Sequence, residues 1–555
     1  MHVSEWWRSA VLYQIYVRSF ADSDGDGVGD LEGIRSRLPY LCELGVDGIW
    51  LTPFFPSPGA DHGYDVSDYV DVDPLFGTLA DFDALVAHAH ELGLRVVVDI
   101  VPNHTSNEHP WFQAAISAPD HPARARYIFR PGRDGGPPNG WRSAFGGSAW
   151  TLDAASGEWY LHLFTPQQPD LDWHNETVRS DFEEILRFWL DRGVDGFRID
   201  VGQALYKAPD LHDVQQPEPR PRYADWHTGI NQAEVHDLYR SWRGLADSYP
   251  GGRMFVGEIV LENQVELAKY VRPDELQLAF NFTFLFEDWS AAGLRGTIER
   301  TLDAFGAVGA TPTWVLENHD VTRLPTRYGG GAQGVRRAGA AALLLLALPG
   351  TAFVYVGQEL GLEEVDLPDA LRQDPIFFRT KGERVGRDGC RVPIPWENGP
   401  PGFGFTTGAP WLPIPDEWES ASVAAQAGDP GSMLELYRSA LALRPREAPF
   451  AWRDSPPGTL AFTRGELVCL VNVDGPELPL PAGELLLASD RDIRESLPPD
   501  TAVWLTKKGE RCEHRSESGR SATWRPASTR RATSPSSAPR RPRTRSTLPL
   551  SDSGI

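Results

Sequence analysis

Leu94-Arg-Val-Val-Val-Asp-Ile-Val-Pro-Asn-His104 is a β-branched run that ends abruptly in polar groups and a proline. Consecutive apolar positions suit a strand buried on both faces, as in a parallel sheet, better than an alternating antiparallel one. Immediately before it, Leu79–Leu92 has helical periodicity, with Thr78-x-x-Asp81 as a capping-box start and Gly93 as a stop. The same unit recurs in both directions. Strands are expected at Val11–Tyr16, Gly48–Leu51, Leu94–Ile100, Gly196–Asp200, Met254–Glu258, Leu276–Phe280, Thr313–Leu316 and Thr351–Val356, with amphipathic segments such as Val178–Leu190 between them. Eight strands alternating with helices predict an α/β fold, a closed (β/α)8 TIM barrel, with a doubly wound open sheet as the rival.

Two stretches break the rhythm. Residues 102–175, rich in Pro, Gly, Trp and His, form an expected inserted loop domain after the third strand, and residues 358–430 form a second long excursion after the eighth. Glycine and proline together make up 100 of the 555 residues, consistent with long structured loops. From about Phe450 the pattern shortens to Thr459–Arg464, Leu467–Val473 and Glu484–Ala488, which predicts a C-terminal antiparallel β domain. The expected division is therefore a barrel over 1–101 and 176–440, the insertion over 102–175, the β domain over 441–505 and a tail over 506–555. The tail has ten Arg, ten Ser and five Pro, with Leu548, Leu550 and Ile555 as its large aliphatics, so it is expected to be disordered.

Charge and cysteine usage exclude several functions. The net charge is −24, and the tail alone carries +8, leaving −32 on residues 1–505; nucleic-acid binding by the folded body is not expected. The longest apolar run, Ala340–Leu348, is too short to span a bilayer, and the N-terminus shows no secretory signal pattern. Four cysteines without a C-x-x-C pair exclude a disulfide scaffold and a cysteine zinc site, so a cytoplasmic setting is expected.

Polar residues gather where the strands end. Asp99 ends the third strand, Arg198 and Asp200 the fourth and Glu258 the fifth, while His319 and Asp320 follow the seventh. One such Asp would read as a helix cap; repetition on one rim points to a site. Arg198 and Asp200, at i and i+2, face the same side. Two carboxylates, one ionised and one protonated, are what acetal cleavage needs. Arg198 beside Asp200 favours an ionised nucleophile, and Glu258, with no neighbouring cation in sequence, is the expected acid. A Gly-x-Ser-x-Gly elbow, a P-loop and a dinucleotide fingerprint are all missing, which weakens the acyl-, phosphoryl- and hydride-transfer readings.

These segments resemble the α-amylase superfamily, glycoside hydrolase family 13, and within it the α-glucosidase and oligo-1,6-glucosidase branch. The likeness rests on Asp99-Ile-Val-Pro-Asn-His104, Gly196-Phe-Arg-Ile-Asp200, Gly257-Glu258, Glu317-Asn-His-Asp320, Gln168-Pro-Asp-Leu-Asp172 and Gly357-Gln-Glu359. The resemblance implies Asp200 as nucleophile, Glu258 as general acid/base and Asp320 as the third carboxylate, which binds and distorts the sugar. It further implies that His104, Arg198 and His319 hold sugar hydroxyls and that Tyr64, in Asp61-His-Gly-Tyr64, stacks under the glucose. Asp61 would meet the terminal sugar together with Arg387, chosen over Arg391, and Phe145 would form an apolar wall.

Asp22-Ser-Asp24-Gly-Asp26-Gly-Val28-Gly-Asp30 offers oxygens at alternate positions, as a hard cation requires, but Gly33 stands where an EF-hand needs Glu. The segment resembles the metal loop of this branch, which implies a structural Ca2+ (or Mg2+) held by Asp22, Asp24, Asp26, Val28 and Asp30. No organic cofactor is expected. His88 and His90, at i and i+2 of a helix, face apart and make no metal site.

The expected activity is a retaining exo-acting α-glucosidase on maltose and short α-glucosides. The alternatives are an oligo-1,6-glucosidase, a transglucosylase or isomerase such as a trehalose synthase, and, remotely, an inactive binding subunit. In the resembling enzymes a Val after the nucleophile, here Val201, often accompanies α-1,6 cleavage. However, Asp200–Leu211 and Arg387-Asp-Gly-Cys390 are worded like the enzymes that depart from that rule, so maltose is expected to exceed isomaltose.

Overall fold

The computed structural model describes residues 5–211, 229–400 and 402–506. The predicted disorder of the tail therefore concerns residues outside the described set, apart from Thr506.

Eight parallel strands form one sheet: β1 (Val11–Ile15), β2 (Gly48–Leu51), β3 (Arg95–Ile100), β4 (Gly196–Ile199), β5 (Met254–Gly257), β6 (Leu278–Ala279), β7 (Thr313–Val315) and β8 (Thr351–Tyr355). Seven parallel ladders order them β7-β8-β1-β2-β3-β4-β5-β6. The wrap-around pairing of β1 with β8 on one side and β2 on the other is what an open sheet with β1 at its edge cannot supply, and it makes the sheet a barrel. At the remaining seam, Leu278 and Phe280 of the β6 region share one apolar cluster with Val315 of β7, Leu12, Trp50, Val97, Val256 and Phe353. That cluster fills the barrel interior. The sixth strand is shorter than the expected Leu276–Phe280, and β4 stops at Ile199, leaving Asp200 just past its end.

The helices follow in turn: α1 (Leu31–Leu44), α2 (Leu79–Glu91), α3 (Glu176–Asp191), α4 (Val235–Asp247), α5 (Gln264–Lys269), α6 (Ala291–Ala307), α7 (Gly331–Ala347) and α8 (Met433–Leu443). In α2, Phe82, Leu85, Val86 and Ala89 recur at helical spacing and are buried; both capping-box bonds between Thr78 and Asp81 form. Helix α8 runs past residue 440, the expected end of the barrel. Between β3 and β4 the chain folds a three-stranded antiparallel sheet of Phe129–Pro131, Trp150–Asp153 and Glu158–Leu161.

C-terminal to α8 lies a five-stranded antiparallel sheet of β9 (Phe450–Trp452), β10 (Thr459–Arg464), β11 (Leu467–Asn472), β12 (Leu485–Ala488) and β13 (Thr501–Thr506), in the order β9-β10-β11-β13-β12. Thr506 pairs with Leu467, so the last strand extends one residue beyond the expected domain end. This sheet explains the longest apolar run: Ala338–Ala347 of α7 is buried all round, between barrel and sheet. Carbonyls near its C-terminus accept from the C-terminal part of the chain: Leu343 O from Trp504 Nε1 at 3.1 Å and, among the last four, which no helical N–H can reach, Leu346 O from Arg444 Nε at 3.1 Å and Ala347 O from Arg464 Nη1 at 2.9 Å. Among the described residues no helix is long and apolar enough to cross a membrane.

Arg464 also donates to Ala448, Pro445 and Arg446 carbonyls, so Arg464→Met orphans several acceptors at once. The substitution is expected to cost about 2–4 kcal/mol, read as a lowered unfolding midpoint with an unchanged KM.

Candidate active site

Arg198 lies inside the C-terminal mouth of the barrel and is almost fully buried. Its Nη1 donates to Asp99 Oδ1 and Oδ2 at 2.9 and 3.1 Å and to Asp200 Oδ1 at 2.5 Å, and its Nη2 donates to Glu258 Oε2 at 2.6 Å. The register places Asp99 beside Arg198 on neighbouring strands, so the β3–β4 ladder itself builds the first of these pairs. Glu258 has no neighbouring cation along the chain, but β5 runs next to β4 and brings it to the other arm of the same guanidinium, contrary to the expectation of an unpaired acid. Glu258 Oε2 also accepts from Val201 N at 3.0 Å. That amide points inward because Val201 adopts a left-handed φ of 47°, a conformation costing a β-branched residue about 1–3 kcal/mol.

One cation cannot neutralise three carboxylates out of water. Burial pushes Asp99 up to about 7 despite Arg198 and the Tyr64 hydroxyl. Burial likewise raises Asp200, against the pull of Arg198 and with Glu258 and Asp99 adding to the rise. Burial thus favours the protonated form of Asp99 and Asp200, which runs against the ionised nucleophile expected from Arg198 in the sequence. Exposure grades outward, from 2% for the Arg198 side chain to 8% for Asp200, 14% for Glu258 and 29% for Asp320.

The rings of Tyr64 and His319 are nearly parallel, with centroids 5.3 Å apart and planes 6° apart. The Tyr64 hydroxyl bonds Asp99 Oδ2 at 3.0 Å and His319 Nε2 at 2.7 Å, while Gln14 Nε2 sits 2.7 Å from His319 Nδ1. His104 Nε2 lies 2.9 Å from the Tyr64 carbonyl and its Nδ1 3.1 Å from Asn103 Nδ2. Burial lowers both histidines, His104 to about 4, so both are neutral at pH 7.

At the opposite side, Asp320 Oδ1 accepts from Arg387 Nη1 at 3.1 Å and Arg391 Nη2 at 2.9 Å. Burial alone would raise its carboxyl, but His319 and the two guanidiniums outweigh that and hold it far below the usual carboxylate range. Arg387 Nη2 reaches Asp61 Oδ1 at 2.6 Å, whereas Arg391 turns to His319 O and His62, which favours Arg387 as the partner of Asp61. Phe145 lies under Arg387, 4.9 Å from guanidinium carbon to ring centroid. All ten expected catalytic and sugar-binding residues thus fall in one connected network. Sequence reasoning assigns no site role to Asp374 and Gln14, quotes Gln168 only within a motif and sets Arg391 aside in favour of Arg387. Asp374 carried no signal, because it comes from the irregular β8–α8 excursion; Asp99 was visible at its strand end but had been given no role in the site.

The acidic loop after β1 brings one carboxylate oxygen each from Asp22, Asp24 and Asp30 within 4.8 Å of one another. Asp26 is exposed and is not in that trio; burial and the charges of Asp24, Asp22 and Asp30 raise its carboxyl. Asp30 also caps α1 through Gly33 N at 2.7 Å. Gly27 must be glycine: its φ is +95°, and a Cβ would lie 2.1 Å from Ala409 O. The loop is thereby pressed against the β8–α8 excursion, where Thr406 Oγ1 donates to Asp22 and Trp411 N to Gly27 O.

Comparison with known proteins places this geometry. The chain is 41% identical over 497 residues to a probable alpha-glucosidase of Rhizobium meliloti (85% of this chain, 88% of that protein). It is 38% identical to the oligo-1,6-glucosidase of Parageobacillus thermoglucosidasius (79% and 83%) and 38% identical to the trehalose-6-phosphate hydrolase of Escherichia coli (81% and 86%). Among solved structures, an alpha-glucosyl transfer enzyme superposes with a TM-score of 0.83 at 40% identity, covering 90% of this chain and 99% of that one. The trehalulose synthase of Pseudomonas mesoacidophila MX-45 gives 0.83 at 32% identity, covering 91% and 99%. The alpha amylase catalytic domain matches residues 14–452, and with the barrel and the relatives this shows that the chain belongs to the α-amylase family of glycoside hydrolases, family 13.

Proposed function

We propose that the protein is a retaining, exo-acting α-glucosidase that releases glucose from the non-reducing end of maltose and short α-gluco-oligosaccharides. The supporting observation is the bridge of Asp61, Arg387 and Asp320 facing the Asp200–Glu258 pair. A terminal glucose held between the two groups would have its ring hydroxyls met by charge on one side and its anomeric carbon beside the carboxylates on the other. A longer chain could not continue past Arg387, so cleavage falls at the chain end.

In this reading Asp200 attacks the anomeric carbon and Glu258 protonates the departing oxygen, then activates water. The leaving oxygen thus takes its proton from Glu258, and Asp200 attacks as the carboxylate, with Arg198 Nη1 donating to it against the effect of burial. Asp320, held ionised by Arg387 and Arg391, grips hydroxyls as the ring flattens. The neutral histidines His104 and His319 supply hydrogen bonds without adding charge. A reducing, cytoplasmic compartment belongs to the same reading and is supported by the free cysteines Cys42, Cys390 and Cys469. The second reading is transfer of the glucosyl group to a sugar acceptor, favoured by the likeness to the glucosyl transfer enzyme and the trehalulose synthase; it shares every residue above and differs in the acceptor.

We also infer a structural Ca2+ (or Mg2+) at Asp22, Asp24 and Asp30, with Asp26 and the Val28 carbonyl completing the set that the resemblance implies. The crowding of carboxylates there fits a hard cation, which would brace the loop against the β8–α8 excursion. Exhaustive chelation is expected to lower the melting temperature while leaving the rate at 25 °C nearly unchanged. An unchanged melting curve, with no metal found before treatment, removes the ion.

Product analysis and kcat/KM on maltose, isomaltose and sucrose test the activity. Maltose is expected to be hydrolysed to glucose faster than isomaltose, since a single methyl-sized contact at Val201 discriminates by only about 1–3 kcal/mol. A clear excess for isomaltose assigns oligo-1,6-glucosidase activity instead, and disaccharide products without net hydrolysis assign transfer. Asp200→Ala should abolish turnover of nitrophenyl glucoside. Glu258→Ala should lose about 10²–10⁴-fold on maltose and much less on the nitrophenyl substrate, whose leaving group needs no proton.

A further inference from the structure

Asp374 is a fully buried carboxylate at the start of the short helix Pro375–Arg379, in the excursion after β8. It meets Arg387 side-on: Oδ2 accepts from Arg387 Nε at 2.6 Å and from the Arg387 backbone N at 2.6 Å, and Oδ1 accepts from Nη2 at 3.2 Å. A guanidinium is planar and rigid, so a carboxylate that occupies Nε and one Nη2 proton fixes the plane and leaves the outer protons pointing the other way. Those outer protons are the ones that reach Asp61 at 2.6 Å and Asp320 at 3.1 Å.

The surroundings are built to hold Asp374 there. Asp388 Oδ2 accepts from the backbone N of Gln373 and Asp374 at 2.9 and 3.0 Å, and Asp374 Oδ1 accepts from Ile376 N at 2.8 Å. Gly386, next to Arg387, has φ +79°, and a Cβ on it would come within 2.7 Å of the Asp374 Cβ, so the close approach of the two segments requires glycine. Other charges near Arg387 are Asp61, Asp320, Arg391 and Arg384. Without Asp374, the guanidinium could satisfy itself only on Asp61 and Asp320, the two carboxylates that the sugar has to use.

We propose that Asp374 is a positioning residue that aims and neutralises Arg387, so that Asp61 and Asp320 stay available to the terminal glucose. The proposal rests on the reading that these three groups bind that glucose. Asp374→Asn is the suitable probe, because the amide oxygen can still accept from Ile376 N, whereas the NH2 that replaces Oδ2 cannot accept from Arg387 Nε or the Arg387 backbone N.

Calorimetry with glucose, and maltose kinetics alongside it, provide the test. In Asp374→Asn the Kd for glucose and the KM for maltose are expected to rise about ten- to hundredfold, with a smaller change in kcat. In an Arg387→Ala background the same substitution should bring no further loss, because Asp374 acts through that guanidinium. Unchanged Kd and KM, even with a lowered melting temperature, overturn the proposal, as does a loss that simply adds to that of Arg387→Ala. If the unsubstituted protein binds glucose without cleaving maltose, the activity reading falls while the glucose arm still decides the role of Asp374. If it binds no glucose, both fall.

Discussion

A single buried guanidinium facing three carboxylates is the constraint around which the site is arranged. Arg198 costs desolvation energy that only close, well-oriented anions return, and Asp99, Asp200 and Glu258 supply them from three adjacent strands. Burial, with the neighbouring carboxylates adding to it, then raises Asp99 and Asp200 despite that cation. The fold's contribution is the parallel ladder, which sets strand ends side by side so that residues distant in sequence share one cation.

A second charge cluster mirrors the first. Asp61, Asp320 and Asp374 surround Arg387, with Arg391 behind Asp320. The two clusters differ in balance. In the Arg198 group burial raises Asp99 and Asp200, whereas Asp320 receives two guanidiniums and stays ionised. Unequal environments for chemically identical groups let one pocket hold a protonated and an unprotonated carboxylate at the same pH.

The C-terminal sheet and the acidic loop act at a distance from these clusters. The sheet meets α7 through buried Arg464 and Trp504, and Arg444, just after α8, caps the same helix end. The acidic loop supports the excursion that carries Asp374 and Arg387 through the contact of Asp22 with Thr406. Both are braces on elements whose loops form the site.

The sequence by itself determined the barrel, because consecutive β-branched runs closed by polar residues have few other homes, and it determined the capping box at Thr78 and Asp81, whose bonds are local. It also marked Asp200, Glu258 and Asp320, since each sits at or just beyond a strand end. Only the tertiary structure decided which groups share a cation: Glu258 looked isolated along the chain, yet it lies 2.6 Å from Arg198 because β5 pairs with β4. It also set Arg387, and not Arg391 four residues on in the same irregular loop, against Asp61, and it brought Asp374 against that guanidinium. Local propensity and spacing are properties of the chain, whereas the sharing of charge in a low-dielectric pocket depends on which strands become neighbours, and that exists only once the barrel has closed.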